Sequence, residues 1–282
     1  KNILITGASG KTGKTIINHL SSHQWMVTAF THKESYRQEL LDCGAKSVMI
    51  GDLRSINDLE NALAGVNAMY HICPNMTEDE LAIGKNAIHA CQNAGVKRFI
   101  YHSVLHPHIQ SMPHHWQKLL VEEELFKSSL EYTILQPTAY MQNLLGYKNS
   151  ILEGKFPIPY SPQAEISLVD LRNVAEVVLH VLTNIETTFG IYEIVGTLPI
   201  SQVQVAAELS DQLGKTISVE VIEKSTWESS ARQSGMPDYS RKTLLSMFEY
   251  YDKHGLKGTP EVLSFLLNKK PITIAQFIKD HF

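Results

Sequence analysis

Residues 1–20 read KNILITGASGKTGKTIINHL, and the reading of this stretch decides the fold. The apolar run ILIT (3–6) predicts a buried strand, and TGKTIINHLSS (12–22) predicts a helix that starts directly after the turn. Between them stand Gly7, Gly10 and Gly13, with Ser9, Lys11 and Thr12 filling the loop. Making a turn needs at most one glycine. Three at a spacing of three imply that something approaches the backbone closely. A helix N-terminus offers free N–H groups and about half a positive charge to an anion. In such a loop the first glycine permits the turn and the second clears a path for a pyrophosphate. The third lets helix and strand pack together.

Working outward, the same alternation continues. Strands are predicted over WMVTAFT (25–31), SVMIGD (47–52), NAMYHI (67–72), RFIYHSV (98–104) and EYTILQP (131–137). Helices are predicted over SYRQELLDCG (35–44), INDLENALAG (56–65), DELAIGKNAIHACQNAG (79–95) and HHWQKLLVEEELFKSS (114–129). Strands alternating with helices of this length give a parallel sheet covered on both faces, a doubly wound Rossmann-type α/β layer. After Pro137 the rhythm breaks. GKFPIPYSPQ (154–163), with its prolines, reads as a loop with a short edge strand, while GIYEIVG (190–196) and SVEVIE (218–223) read as strands. Ser201 and Gln204 form a capping box before a helix that Gly214 can stop. The expected division is a dinucleotide-binding domain at 1–145 and a smaller, intimately packed α/β substrate-side lobe at 146–282, with Trp227 and Tyr250 exposed on its helices.

Composition narrows the partners. The 282 residues are 43% hydrophobic and 19% charged with a formal charge of −4, so no direct nucleic-acid or membrane partner is expected. Stretches such as VAEVVLHVL (174–182) are far short of a membrane span. Cys43, Cys73 and Cys91 include no CxxC, and strand-like ILIT stands where a secretory leader would, so a reduced, cytoplasmic location is expected. A homodimer remains open.

The dinucleotide is read from the end of the second strand. An NAD site usually places an acid there, about twenty residues beyond the glycines. This chain has Thr31, His32 and Lys33, with Glu34 only afterwards. Cationic residues in place of the acid suit a 2′-phosphate, which Lys11 can also reach, so NADP(H) is expected and NAD(H) is the alternative. The competing reading is that His32 and Lys33 are solvated loop residues.

TGASGKTG (6–13), GD (51–52), HHWQK (114–118), QPTAYMQN (136–143) and ISLVDLRNVAEV (166–177) together resemble the NmrA-like branch of atypical short-chain dehydrogenases, over nearly the whole chain. That branch includes NADPH-dependent quinone and dye reductases, and also NADP(H)-binding redox sensors that regulate transcription through a protein partner. The resemblance implies Gly7, Gly10 and Gly13 on the pyrophosphate, His32 and Lys33 by the adenosine phosphate, and Asp52 and Leu53 beside adenine. It puts Ile72, Cys73 and Pro74 along the nicotinamide ribose, with Pro137 in the cofactor set. Ser103 stands where short-chain dehydrogenases keep a catalytic hydroxyl. The usual Tyr-xxx-Lys pair is replaced at the same spacing by His114 and Lys118. Without the phenol, alcohol dehydrogenase chemistry is disfavoured, and an imidazole titrating nearer neutrality takes its place.

A quinone or dye-like acceptor needs little activation beyond proximity, orientation and one proton. His106, Tyr140, Met141 and Asn143 are candidates for its pocket, with ordinary packing as the competing reading of the last three. HSVLHPHIQSMPHH (102–115) concentrates histidines, but it has no HExxH and no nearby cysteine, so no metal is expected. The leading expectation is an NADPH-dependent oxidoreductase acting on quinones or conjugated acceptors, and the alternative is a non-catalytic NADP(H) sensor. A sugar-nucleotide epimerase would want the missing tyrosine.

Overall fold

A computed structural model describes all 282 residues. Six strands come in the expected places: β1 (Asn2–Ile5), β2 (Met26–Thr31), β3 (Ser47–Ile50), β4 (Ala68–His71), β5 (Arg98–His102) and β6 (Glu131–Pro137). They alternate with α1 (Lys11–Ser22), α2 (Arg37–Asp42), α3 (Ile56–Ala62), α4 (Glu80–Asn93) and α5 (Pro113–Lys127). In the sheet the order is β3-β2-β1-β4-β5-β6, with Ile191–Ile194 as a seventh strand beside β6. The pairs β1–β2, β1–β4, β2–β3, β4–β5 and β5–β6 are all parallel. This is the doubly wound order, with its topological switch point between β1 and β4.

Both sheet faces are buried, as a wholly parallel sheet requires. On one face Leu4, Met69, Phe99 and Tyr101 share a cluster with Leu59 of α3, Ala87 and Ile88 of α4, and Val121 and Leu125 of α5. The opposite alternation brings Ile3, Ile5, Val27 and Ala29 to full burial, and Ile16, Ile17 and Leu20 of α1 are equally enclosed. Gly84 is needed for close helix packing: a Cβ there would lie 2.6 Å from both Val121 methyl carbons.

The chain forms two compact units that interleave along the sequence. One comprises 1–108, 114–136 and 174–192; the other comprises 109–113, 137–173 and 193–282. GIYEIVG was expected in the substrate-side lobe. Instead its strand extends the main sheet, bonding along β6 through Phe189 N–H to Tyr132 O and Ile134 N–H to Gly190 O.

The second unit is built of short pairings and helices. Lys155–Ile158 is the short strand expected within 154–163, and it pairs in parallel with Ser218–Val221. Ala139–Tyr140 pairs with Leu168–Val169, and Glu165–Ile166 with Ile200–Ser201. The capping box forms as expected: Ser201 Oγ accepts from Gln204 N–H, Gln204 Oε1 accepts from Ser201 N–H, and Gly214 ends the helix at φ +64°. Trp227 and Tyr250 are half-buried rather than exposed, Trp227 packing edge-on against Phe248 at 4.8 Å. No helix is long and apolar enough to cross a membrane.

Candidate functional site

The loop between β1 and α1 is shaped by its glycines. Gly7 lies at φ +59°, a conformation that costs other residues strain, and its N-terminal neighbour Thr6 is tied by its Oγ1 to Ile72 O at 3.0 Å. A Cβ on Gly13 would stand 2.5 Å from Gly7 O and 2.7 Å from Ala8 Cα, so only glycine lets the helix start this close to the strand. Gly10 is the N-cap of α1 and offers no side-chain acceptor. The first amides of the helix are therefore left for an anion. A Cβ on Gly7 would meet Ile72 Cβ at 2.8 Å, which brings the loops after β1 and β4 together at the switch point.

At the end of β2, Thr31 is buried and its Oγ1 has no partner in the chain. A buried hydroxyl without a partner costs free energy unless something else bonds it. His32 and Lys33 follow as exposed side chains, and Lys11, the first residue of α1, is exposed as well. Asp52 is exposed, its Oδ1 accepting from Arg54 N–H at 2.9 Å, and Leu53 is half-buried. An uncapped glycine turn, an orphaned hydroxyl and cations beside it form a set that fits a phosphorylated dinucleotide.

Beyond β4 and β5 the character changes to enclosed side chains. Lys118, on α5, donates from Nζ to Glu80 Oε1 at 2.8 Å and to His102 O at 3.3 Å. Glu80, in the first turn of α4 and 3% exposed, also accepts from Tyr101 Oη at 2.9 Å. The Lys118 ammonium lies 5.5 Å from the centre of the Tyr101 ring. Cys73 is buried nearby, and burial together with the Glu80 charge pushes its thiol well above the usual range. Sequence reasoning missed Glu80 and Tyr101. Both sit inside apolar-patterned elements, and only their spatial neighbours distinguish them.

Ser103, at the position where the resemblance puts a catalytic hydroxyl, donates to Glu122 Oε1. Gln136 Nε2 bonds the same carboxyl at 2.9 Å and 3.2 Å. Glu122 is 2% exposed, and desolvation raises its pKa despite those bonds. Neither Glu122 nor Gln136 was singled out by the sequence.

The histidines correct the titration argument. His114 is buried, and burial with the neighbouring His115 and Lys118 lowers its pKa to about 2. At neutral pH it is a neutral imidazole, with a buried Nδ1 that has no partner, and it is no imidazolium acid. His115 turns its Nδ1 to His106 O at 3.1 Å, and His102 Nδ1 meets Tyr70 Oη at 2.6 Å. No three His, Cys, Asp or Glu side chains are grouped to hold a metal ion. His106 has a left-handed backbone, φ +54°, at the loop after β5. Of the remaining candidates, Ile72 is half-buried, Cys73 buried and Pro74 exposed at the end of β4, and Pro137 is buried. Tyr140, Met141 and Asn143 belong to the second unit, half-buried, buried and exposed in turn.

The sequence profile of the NmrA-like family matches residues 1–278. The chain is 26% identical to an NAD(P)H azoreductase of Xenophilus azovorans, covering 99% of this chain and 97% of that protein. It is 25% identical to quinone oxidoreductase 2 of Escherichia coli strain K12, covering 99% and 98%. A crystal structure of an NADPH-dependent quinone oxidoreductase from Escherichia coli, complexed with NADPH, superposes with a TM-score of 0.84 at 25% identity over 99% of each chain.

Proposed function

The chain belongs to the NmrA-like family, and from that premise we propose that it is an NADPH-dependent oxidoreductase delivering hydride to a quinone or similar conjugated acceptor. The observation that carries this reading is similarity along essentially the full length to an NAD(P)H azoreductase and a quinone oxidoreductase. The uncapped glycine turn at the head of α1 supports the cofactor half of it.

Bound NADPH supplies the hydride. The backbone amides around Gly7, Ser9, Gly10, Thr12 and Gly13 would hold the pyrophosphate at the positive end of α1. Thr31 Oγ1, His32, Lys33 and Lys11 would serve the adenosine ribose and its phosphate, and Asp52 and Leu53 the base. Ile72, Cys73, Pro74 and Pro137 would complete the cofactor set on the nicotinamide-ribose side. Lys118 contributes a fixed positive charge and an N–H toward the site where negative charge develops on the acceptor. His114 is a neutral hydrogen-bond donor or acceptor there, and Ser103 is oriented by Glu122. His106, Tyr140, Met141 and Asn143 are the proposed acceptor contacts. A quinone has a low barrier to hydride, so positioning provides much of what is needed.

A second reading rests on Ser103, whose hydroxyl is committed to Glu122. A hydroxyl occupied in this way suits a protein that binds NADP(H) and reports its redox state to a partner. The deciding experiment follows NADPH oxidation by purified protein across quinones, azo dyes and triarylmethane dyes, with NADH in parallel. Acceptor-dependent turnover preferring NADPH is expected. Tight NADPH binding without turnover on any acceptor would give the sensor reading instead.

A further inference from the structure

We propose that Glu80 is the positioning residue of this site, its carboxylate fixing the Lys118 ammonium at the carboxyl end of β5 so that one N–H points at the nicotinamide side of a bound dinucleotide. The proposal rests on the oxidoreductase reading above and adds to it a residue on a different helix.

An ammonium has three donors. In Lys118 one is used on Glu80 Oε1 at 2.8 Å and one on His102 O at 3.3 Å, which leaves a third for a ligand. A lysine side chain is long and flexible, and on α5 alone nothing would choose its direction. Glu80 chooses it. Its side chain is 4% exposed and is anchored to the sheet by Tyr101 Oη at 2.9 Å, so the carboxylate is itself immobile. The Lys118 side chain is 14% exposed, so the charge is partly shielded from water and its direction matters to whatever lies beside it. Tyr101 takes no direct part: it is fully buried and its hydroxyl is committed to Glu80. The same strand end supplies the second restraint, the His102 carbonyl. Two acceptors held at the carboxyl end of one strand define a direction, where one would define only a distance.

The test is a double-mutant cycle on the full-length protein with Glu80→Gln, Lys118→Ala and both together. Turnover with a quinone and the NADPH dissociation constant are read for all of them. Glu80→Gln is expected to lower kcat by about tenfold while KM for NADPH changes by less than about twofold. In the Lys118→Ala background the same change should have no further effect. Wild-type kcat in Glu80→Gln, or the same fold loss in both backgrounds, overturns the proposal. A buried ammonium stripped of its partner can unfold a protein, so Glu80→Asp is measured alongside. It keeps the charge but withdraws it by one methylene, and a smaller kcat loss is expected, with an unchanged kcat counting against the proposal. If the wild type binds NADPH with no turnover, the oxidoreductase reading fails. The proposal falls with it, whereas turnover in the wild type that Glu80→Gln leaves unchanged overturns the proposal alone.

Discussion

The glycine turn after β1 and the polar cluster beyond β4 and β5 flank the same switch point, but they are made of different materials. The turn is backbone: Gly7, Gly10 and Gly13 work by what they lack, and the groups they present are amides. The cluster is side chain: Glu80, Tyr101 and Lys118 reach one another across 38 and 21 residues of sequence. A backbone site is set by local conformation and tolerates little change in shape. A side-chain site is set by packing and electrostatics and responds to pH and charge. Two buried glutamates differ in their partners: Glu80 accepts from the ammonium of Lys118, whereas Glu122 accepts from Ser103 and Gln136, and burial raises the Glu122 pKa.

The largest expected effect is acid lability of the side-chain region. Burial lowers the pKa of His71 and His102 to about 3, of His114 to about 2 and of His115 to about 4, from 6.5. These imidazoles are neutral in the fold but take protons in the unfolded chain below 6.5. Their contribution is complete above that pH and declines as pH falls toward the folded values. Moving from neutrality to about pH 5 should cost about 2 kcal/mol for each. Denaturant melts across that range should show the fall, and a flat profile would remove the contrast between the regions.

Next in size is Lys118→Ala, expected to lower turnover about a hundredfold while weakening NADPH binding far less. Stopped-flow and equilibrium binding on the same preparation separate the two, and unchanged turnover would leave the lysine without a catalytic part. On the backbone side, Gly13→Ala should weaken NADPH about thirtyfold, since overpacking against Gly7 O is worth about 2 kcal/mol. Retained affinity there would show that the loop adapts. The smallest effect is Lys33→Ala. It should weaken NADPH about fivefold and leave NADH unchanged, as suits one exposed charge near a phosphate. Equal losses for both nucleotides would show that Lys33 does not read the 2′-phosphate.

Legibility in the sequence follows the same line. The glycine turn, the strand–helix alternation and the Ser201 capping box are written in residues close together, and local rules reach them. Glu80 looks like any acid in a first turn, and Tyr101 like any aromatic in a buried strand. Their meaning comes from a neighbour on another element. His114 misled for a related reason: its spacing to Lys118 was visible, but the burial that keeps it neutral was not. The strand Ile191–Ile194 was recognised as a strand, yet its place beside β6 depends on a long return of the chain.

That return has a consequence for modularity. Arg98, on β5, donates to Glu131 O at 2.9 Å, to Thr133 Oγ1 at 2.7 Å and to Val181 O at 2.8 Å, and the last of these lies in the 174–192 segment. A fragment cut after the first six strands would carry every glycine of the nucleotide loop. It would also expose β6 as a raw sheet edge and leave a guanidinium missing one of its carbonyl partners. The nucleotide-binding unit is therefore not a cassette that recombination could lift out by a single break. Inheritance would have to carry the chain at least as far as residue 192, because the segment that completes this unit returns only after 137–173.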